Sequence, residues 1–233
     1  MSSTNIHNVP PGLPALAPYA ALFGGLCMAA CQWLVFVYAP VEASMGIVQK
    51  IFYLHLPLAW WGLLSFFITF IASIAYIKTR NPRWDCLAAS TAEVGLLLAA
   101  LALAAGMFWA KPAWGRWWTW DPRLTTTLIL CFVYAAYLIV RRMDLAPERR
   151  SLVAAAIGIA AFLDVPLVYF SARLWNGIHP PSIGLEPEMK TAVIASVACF
   201  SLLWLGLVGL RWRLALDEHR LEAMARDRLL RDE

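Results

Sequence analysis

The sequence predicts an all-α polytopic membrane protein with six transmembrane helices in a single domain, residues 1–233. Hydrophobic residues make up 61% of the chain and charged residues only 15%, with a mean hydropathy of +0.64. That composition is typical of membrane proteins. Six runs are each about 20 apolar residues long, the length at which a helix crosses ~30 Å of hydrocarbon. Since backbone groups in lipid must be bonded within their own segment, each run is predicted to be a helix.

Charges, prolines and glycines that interrupt these runs set the expected helix bounds. The second helix is predicted to begin at Pro57, and the fourth follows Asp121 and Pro122, a pair that resembles an N-cap residue and a first-turn proline. The predicted helices are residues 18–39, 57–77, 86–110, 124–140, 152–170 and 191–210. A loop at 111–123 and a tail at 211–233 complete the expected architecture.

The distribution of positive charge predicts the orientation. Thirteen of the 19 lysines and arginines face the cytoplasm if both termini are cytoplasmic, and six lie in the opposite loops. Because cytoplasmic loops retain positive charge, we predict this orientation, which places the loops 40–56, 111–123 and 171–190 outside. The net charge of +4 is then concentrated on the cytoplasmic side, where it sets the topology and can contact anionic membrane lipid. It does not indicate binding to nucleic acid. The tail is expected to be a solvated helix or a docking helix for a partner subunit.

One outer loop concentrates flat aromatic surface. The stretch WGRWWTWD, residues 114–121, holds four of the twelve tryptophans. Trp114, Trp117 and Trp118 are spaced i, i+3, i+4, which places them on one face if the loop contains a helical turn. Such a cluster has two possible roles. It can form a platform for a flat hydrophobic ligand, or it can anchor the protein at the lipid–water interface.

The other two outer loops contain one histidine each, His55 in IFYLHLPLAWW and His179 in RLWNGIHPPSIG. Two imidazoles from different loops can ligate one metal, and haem iron takes axial ligands in this way. Two unrelated surface histidines are the alternative, because spacing alone does not bring the loops together. Arg116 and Arg123 lie in the same region, where they suit haem propionates or ordinary interfacial charge.

Two carboxylates fall inside predicted helices, where a charge is costly. They are Glu93 and Asp164, the latter in FLDVP beside a proline that opens the backbone. We expect a hydrogen-bonded or protonated structural role for them, with an ion or proton path as the alternative.

The tryptophan-rich stretch resembles the W-G-x-x-W-x-W-D signature of the haem-handling membrane proteins of cytochrome c maturation, and the whole chain resembles one family among them. Six helices, the signature between the third and fourth, and outer histidines before the second and sixth are similar to the haem exporter protein C family, CcmC. Larger relatives of the CcmF and CcsA types have more helices. The signature is matched at Trp114, Gly115, Trp118, Trp120 and Asp121.

This resemblance implies a noncatalytic protein that binds haem b transiently at the periplasmic face of the bacterial inner membrane. It implies delivery of that haem to the chaperone CcmE, and a complex with the ABC-type subunits CcmA and CcmB and the small subunit CcmD. The chain has no Walker motif of its own. The resemblance makes His55 and His179 the axial ligands of the haem iron. It makes the loop the haem platform, with Trp114, Gly115, Trp117, Trp118, Trp120 and Asp121 as its members.

One departure from many relatives concerns the loop that carries His179. Pro180 and Pro181 follow this histidine, where a polar residue is expected. Two prolines remove two backbone donors and stiffen the chain at this point.

Two other function classes are compatible with a polytopic membrane chain. A membrane oxidoreductase of cytochrome b type usually holds haem between histidines inside the bilayer, and no histidine falls inside the predicted helices. A transporter of haem or of a small solute is expected to use Glu93 and Asp164 on its path.

Overall fold

A computed structural model describes residues 13–175 and 184–232, and all the regular elements within them are helices. Six stretches of these residues are long and apolar enough to cross a membrane. The all-α, six-helix fold class is therefore confirmed. The helices are α1 (Leu13–Trp33), α2 (Phe52–Thr79), α3 (Pro82–Trp114), α4 (Pro122–Val140), α5 (Pro147–Ala161), α6 (Asp164–Leu174) and α7 (Pro187–Asp232).

The bundle has two ends with different chemistry. We call "Trp end" the end at which α1, α3 and α6 finish and α2, α4 and α7 begin. We call "Arg end" the opposite end, at which α2 and α4 finish and α3 and α5 begin.

Proline marks the start of four helices because its fixed φ suits the first helical position, where its missing N–H costs nothing. Asn81 accepts a hydrogen bond from the backbone N–H of Arg83 at 3.0 Å and caps α3. Asp121 accepts one from the N–H of Arg123 at 2.9 Å and caps α4, as the sequence predicts. The four prolines are Pro82, Pro122, Pro147 and Pro187.

The second helix begins five residues earlier than predicted. A 3-10 helix, Ile47–Ile51, leads directly into α2 at Phe52, so Pro57 lies inside the helix rather than at its start. His55, expected in a loop, therefore lies in the first turns of α2. The expected loop position of His55 was wrong. The chain is already helical before Pro57, so this proline does not mark the start of the helix.

The predicted fifth span is two helices. Residues Phe162 and Leu163 separate α5 from α6. Pro166 explains the break, because it has no N–H for the carbonyl of Phe162 and its ring clashes with that carbonyl. The N–H of Val165 instead bonds the Phe162 carbonyl at 3.1 Å, a tighter i to i−3 bond.

Two other helices run further than the hydropathy indicates. The third continues to Trp114, four residues beyond the predicted end at 110, and the last continues through the predicted tail to Asp232. Charged residues stop a hydrophobic run without stopping a helix, so hydropathy marks the apolar segment and not the helix end.

Close backbone contact joins the first helix to the last. A Cβ at Gly24 of α1 would overlap the backbone of Leu203, and a Cβ at Gly206 of α7 would overlap the backbone of Ala21. Small residues allow such approach in membrane bundles, where packing rather than the hydrophobic effect holds helices together. The first and last described helices are thereby packed directly against each other.

The interior is filled mainly by aromatic and aliphatic side chains of α2, α3, α4 and α7. The ring of Phe66 stacks on that of Tyr134 with centroids 3.8 Å apart, and Trp61 stacks on Trp204 at 4.5 Å. The Nε1–H of Trp204 donates to the hydroxyl of Ser65 at 2.8 Å, which satisfies a buried indole donor. These contacts hold α2 in a defined position beside α4 and α7.

Candidate functional site

The tryptophan loop is a short irregular segment between two capped helices at the Trp end. Helix α3 ends at Trp114, and Gly115 takes a left-handed conformation with φ of 74° that non-glycine residues adopt rarely. Its N–H donates to the carbonyl of Lys111 at 2.9 Å. The Lys111 ammonium donates back to the Gly115 carbonyl at 3.1 Å, which secures the turn.

The expected helical spacing of three tryptophans does not hold. Trp114 lies in the last turn of α3, whereas Trp117 and Trp118 follow the glycine that ends the helix. These side chains therefore do not share a helix face. The condition for a shared face, a helical turn through the loop, is not met because Gly115 terminates the helix after the first of them.

The loop nevertheless exposes much of its aromatic surface. Trp120 is 77% exposed and Trp117 is 49% exposed, while Trp118 is half-buried. Trp118 and Trp120 meet edge to face at 5.8 Å, and Trp117 meets Phe108 of α3 in the same way at 5.8 Å. Exposed indoles that are held by neighbouring rings form an apolar surface on which a flat ligand can lie.

His55 lies close to this loop, although some sixty residues separate them in sequence. Its half-buried ring is edge-on to Trp109 of α3, with centroids 6.0 Å apart, and Trp109 stacks at 6.3 Å on Trp114. The Nδ1 atom of His55 is 3.0 Å from the carbonyl oxygen of Ala102. The structure thus brings this predicted ligand and the loop together through Trp109.

Trp109 is a site residue that the sequence reasoning missed. It is the first of five tryptophans between 109 and 120 but stands outside the WGRWWTWD stretch. The signal for it was the clustering itself, since Trp109 is one of the five tryptophans that the chain concentrates between 109 and 120.

Lys50 is a second missed residue, and it fixes the segment that leads to His55. It falls in the predicted loop 40–56, but it is buried, and its ammonium donates to the carbonyls of Val35 at 2.6 Å and Ala39 at 3.0 Å. A π-helical turn, Leu34–Tyr38, continues α1 to its end, and a cation is favourable at the carbonyl end of a helix. Lys50 therefore joins the end of α1 to the start of α2.

His179, Pro180 and Pro181 lie outside the described residues. The chain on either side belongs to the Trp end: α6 finishes at Leu174 and α7 begins at Pro187.

Hydrophobic contacts also place the residues after the undescribed segment beside the neighbours of His55. A buried cluster at the Trp end contains Phe52 and Tyr53 of α2 together with Ala192 of α7. Leu185 and Trp109 both pack against this cluster. The chain therefore re-enters the bundle close to the site around His55.

The two candidate arginines occupy different positions. Arg116 is an exposed side chain within the loop. Arg123 lies in the first turn of α4, where its N–H bonds Asp121. Asp121 is itself buried, and its capping bond gives it a structural role at the end of the loop.

The two membrane carboxylates have different surroundings. The carboxylate of Glu93 accepts a hydrogen bond from Nε of Arg211 at 2.6 Å, which ties α3 to α7 and fits the expected structural role. Asp164 begins α6, and its buried Oδ2 has no hydrogen-bond partner among the residues that the structure describes.

A cavity of about 430 Å³ lies at the Arg end and not at the tryptophan loop. It is lined by charged side chains that include Asp85, Arg141, Glu93, Arg211 and Glu222, several of them in ion pairs. A charged lining of this kind does not suit a flat apolar ring, since burial of apolar surface requires apolar partners. The aromatic surface at the Trp end is the candidate site.

Comparison with known proteins identifies relatives along nearly the whole chain. The family model described as "Heme exporter protein C" matches residues 8–229, a range that includes His55, the tryptophan loop and His179. The "Heme exporter protein C" of Rhodobacter capsulatus is 30% identical over 197 residues, covering 81% of this chain and 81% of that protein. The protein of the same name from Escherichia coli K12 is 30% identical over 185 residues, covering 76% and 74% respectively.

Proposed function

Since the chain belongs to the haem exporter protein C family, we propose that it holds haem b at the Trp end and delivers it to the haem chaperone CcmE. Membership of this family makes it a multi-pass membrane protein with a role in haem handling and cytochrome c biogenesis rather than an enzyme. An oxidoreductase of cytochrome b type is thereby set aside. The observation that supports the proposal most directly is that the imidazole of His55 lies beside the tryptophan loop, whose aromatic surface is exposed.

The donor set at the Trp end fits haem. An imidazole is a preferred axial ligand of haem iron, and His55 supplies one from a rigid helix. The exposed indoles of Trp117 and Trp120 supply flat apolar surface for the porphyrin. Arg116, exposed in the same loop, and Arg123 at its end suit the two propionates.

His179 is proposed as the second axial ligand. It precedes Leu185 by six residues, and six extended residues span at most ~20 Å. Leu185 packs against the cluster that contains Phe52, three residues from His55. The covalent chain is therefore long enough for His179 to reach an iron bound by His55.

Transfer requires a site that holds haem incompletely. Trp120 is 77% exposed, so one part of the platform stays accessible to a second protein. Two imidazole bonds keep the iron in place, and the open surface allows CcmE to approach the ring before those bonds break. Full burial would make the chain a resident cytochrome with no route for release.

The membrane setting follows from the charge pattern and the apolar surface. We propose that the Arg end faces the cytoplasm and the Trp end the periplasm of a bacterial inner membrane, because positive residues are retained inside. Leu22, Phe23 and Leu26 of α1 are exposed and are expected to contact lipid. CcmA, CcmB and CcmD are the proposed partners, and ATP hydrolysis is proposed to belong to the CcmA and CcmB pair.

A transfer assay tests the proposal. The chain is co-produced with CcmE and its partners, and the haem bound to purified CcmE is measured by absorption. We expect Trp117→Ala with Trp120→Ala to reduce CcmE loading about thirtyfold, since the two aromatic contacts contribute about 1 kcal/mol each and about 1.4 kcal/mol corresponds to a factor of ten.

The matched control is Trp84→Ala, which removes a tryptophan that is 38% exposed at the Arg end. It should leave CcmE loading unchanged. Loading by the double loop variant at the wild-type level would contradict the role of the platform.

A further inference from the structure

We propose that Ala102 and Gly106 of α3 are the positioning residues for His55. The carbonyl of Ala102 sets the tautomer of the imidazole, and the missing side chain of Gly106 lets the ring reach that carbonyl. This inference rests on the proposed role of His55 as a haem ligand, and it names the part of α3 that prepares the ligand.

The tautomer follows from the hydrogen bond. The Nδ1 atom of His55 is 3.0 Å from the carbonyl oxygen of Ala102. A carbonyl oxygen only accepts, so Nδ1 must carry the hydrogen, and in a neutral ring the lone pair then lies on Nε2. Nε2 is therefore the nitrogen with which His55 binds iron. Donation from the other ring nitrogen to a carbonyl also orients a metal-bound imidazole and makes it a stronger ligand.

Gly106 explains how the ring approaches a helix so closely. A Cβ at this position would lie 3.2 Å from Cε1 and 3.6 Å from Nδ1 of His55. The first distance is shorter than ordinary van der Waals contact. Ala102 and Gly106 are one helical turn apart and lie on the same face of α3. Even an alanine at this position would require the His55 ring or α3 to shift by a few tenths of an ångström.

Trp109, also in α3, restricts the orientation of the His55 ring from a second side. Its indole meets the His55 ring edge to face at 6.0 Å and stacks on Trp114 at 6.3 Å. Helix α3 thus contacts the imidazole through a carbonyl, a glycine and an indole. Because α3 also ends in the tryptophan loop, one rigid element positions both the ligand and the platform.

The first experiment measures haem binding by the full chain in detergent. Gly106→Ala and Gly106→Val are compared with Gly25→Ala, whose added Cβ in α1 would meet no atom within 4 Å. We expect Gly106→Val to weaken haem binding at least about tenfold, the effect of losing an outer partner of a metal ligand. It should also shift the low-spin electron paramagnetic resonance signal, with a smaller shift for Gly106→Ala. Gly25→Ala should match the wild type.

Thermal unfolding of the same samples separates positioning from general packing. A purely structural role would lower the unfolding midpoint of the Gly106 variants and leave the haem signal of the folded protein unchanged, which would overturn the inference. A changed signal in a variant with a normal unfolding midpoint supports it.

The second experiment needs no haem. Nitrogen-15 magnetic resonance of histidine-labelled protein reports which ring nitrogen carries the hydrogen, and the His55 signal is assigned by its loss in His55→Ala. We expect the Nδ1–H tautomer in the wild type and a larger Nε2–H fraction in Gly106→Val. An Nε2–H tautomer in the wild type would overturn the inference.

The outcomes distinguish this inference from the proposed function. Haem binding by the wild type, with unaltered affinity and signal in both Gly106 variants, defeats the positioning role alone. A wild-type protein that binds no haem defeats the proposed function, and the tautomer measurement still decides whether α3 positions the ring.

Discussion

Replacing Asp85 by alanine is expected to destabilise the protein by about 3–5 kcal/mol, the cost of leaving one partner of a buried ion pair alone. The Asp85 carboxylate accepts two hydrogen bonds from the Arg141 guanidinium, at 2.7 and 2.9 Å, and one from the Ser151 hydroxyl at 2.8 Å. The side chains of Asp85 and Arg141 are only 12% and 19% exposed. These contacts join α3, α4 and α5 at the Arg end, and their loss leaves a largely buried cation without its carboxylate.

Thermal unfolding in detergent measures this effect, and a second ion pair at the same end provides the control. Glu148 pairs with Arg80 at 3.4 Å, and the two side chains are 75% and 50% exposed. Glu148→Ala should therefore cost less than about 1 kcal/mol. An Asp85→Ala protein no less stable than Glu148→Ala would show that the buried pair does not hold the three helices together.

The second large effect is expected at the crossing of the first and last helices. A Cβ added at Gly24 would overlap the backbone of Leu203, which no side-chain rotation relieves. Gly24→Ala must therefore push α1 away from α7, at a cost on the order of 3 kcal/mol. For a chain of this size that lowers the unfolding midpoint by about 10 °C.

The neighbouring residue supplies a control on the same helix. An alanine at Gly25 meets no atom within 4 Å, so Gly25→Ala should leave the unfolding midpoint unchanged or raise it slightly. Equal midpoints for the two alanine variants would be incompatible with close packing of α1 on α7.

The spans were predictable because the lipid environment demands long apolar helices with internal hydrogen bonds. The helix start at Asp121 was predictable too, since its capping chemistry is local. Where two local signals conflict, the prediction failed. Pro57 indicated a helix start, but the helical segment before it carried α2 back to Phe52, and this moved His55 from a loop into a helix.

The parts of the site that the sequence did not predict depend on contacts between distant residues. Nothing near His55 in sequence indicates that its ring meets Ala102 or Trp109. The burial of Lys50 likewise depends on the carbonyls at the end of α1. Small residues at 102 and 106 predict a close approach to α3, but they do not say which side chain makes it.

The most direct measurement is the absorption spectrum of the purified protein, supplied with haem and recorded oxidised and reduced, beside His55→Ala and His179→Ala. If both imidazoles ligate one iron at the Trp end, the wild type will show a low-spin haem spectrum. Each substitution will then weaken or shift that spectrum. A wild-type low-spin spectrum that neither substitution alters would contradict the assignment of these histidines as the ligands.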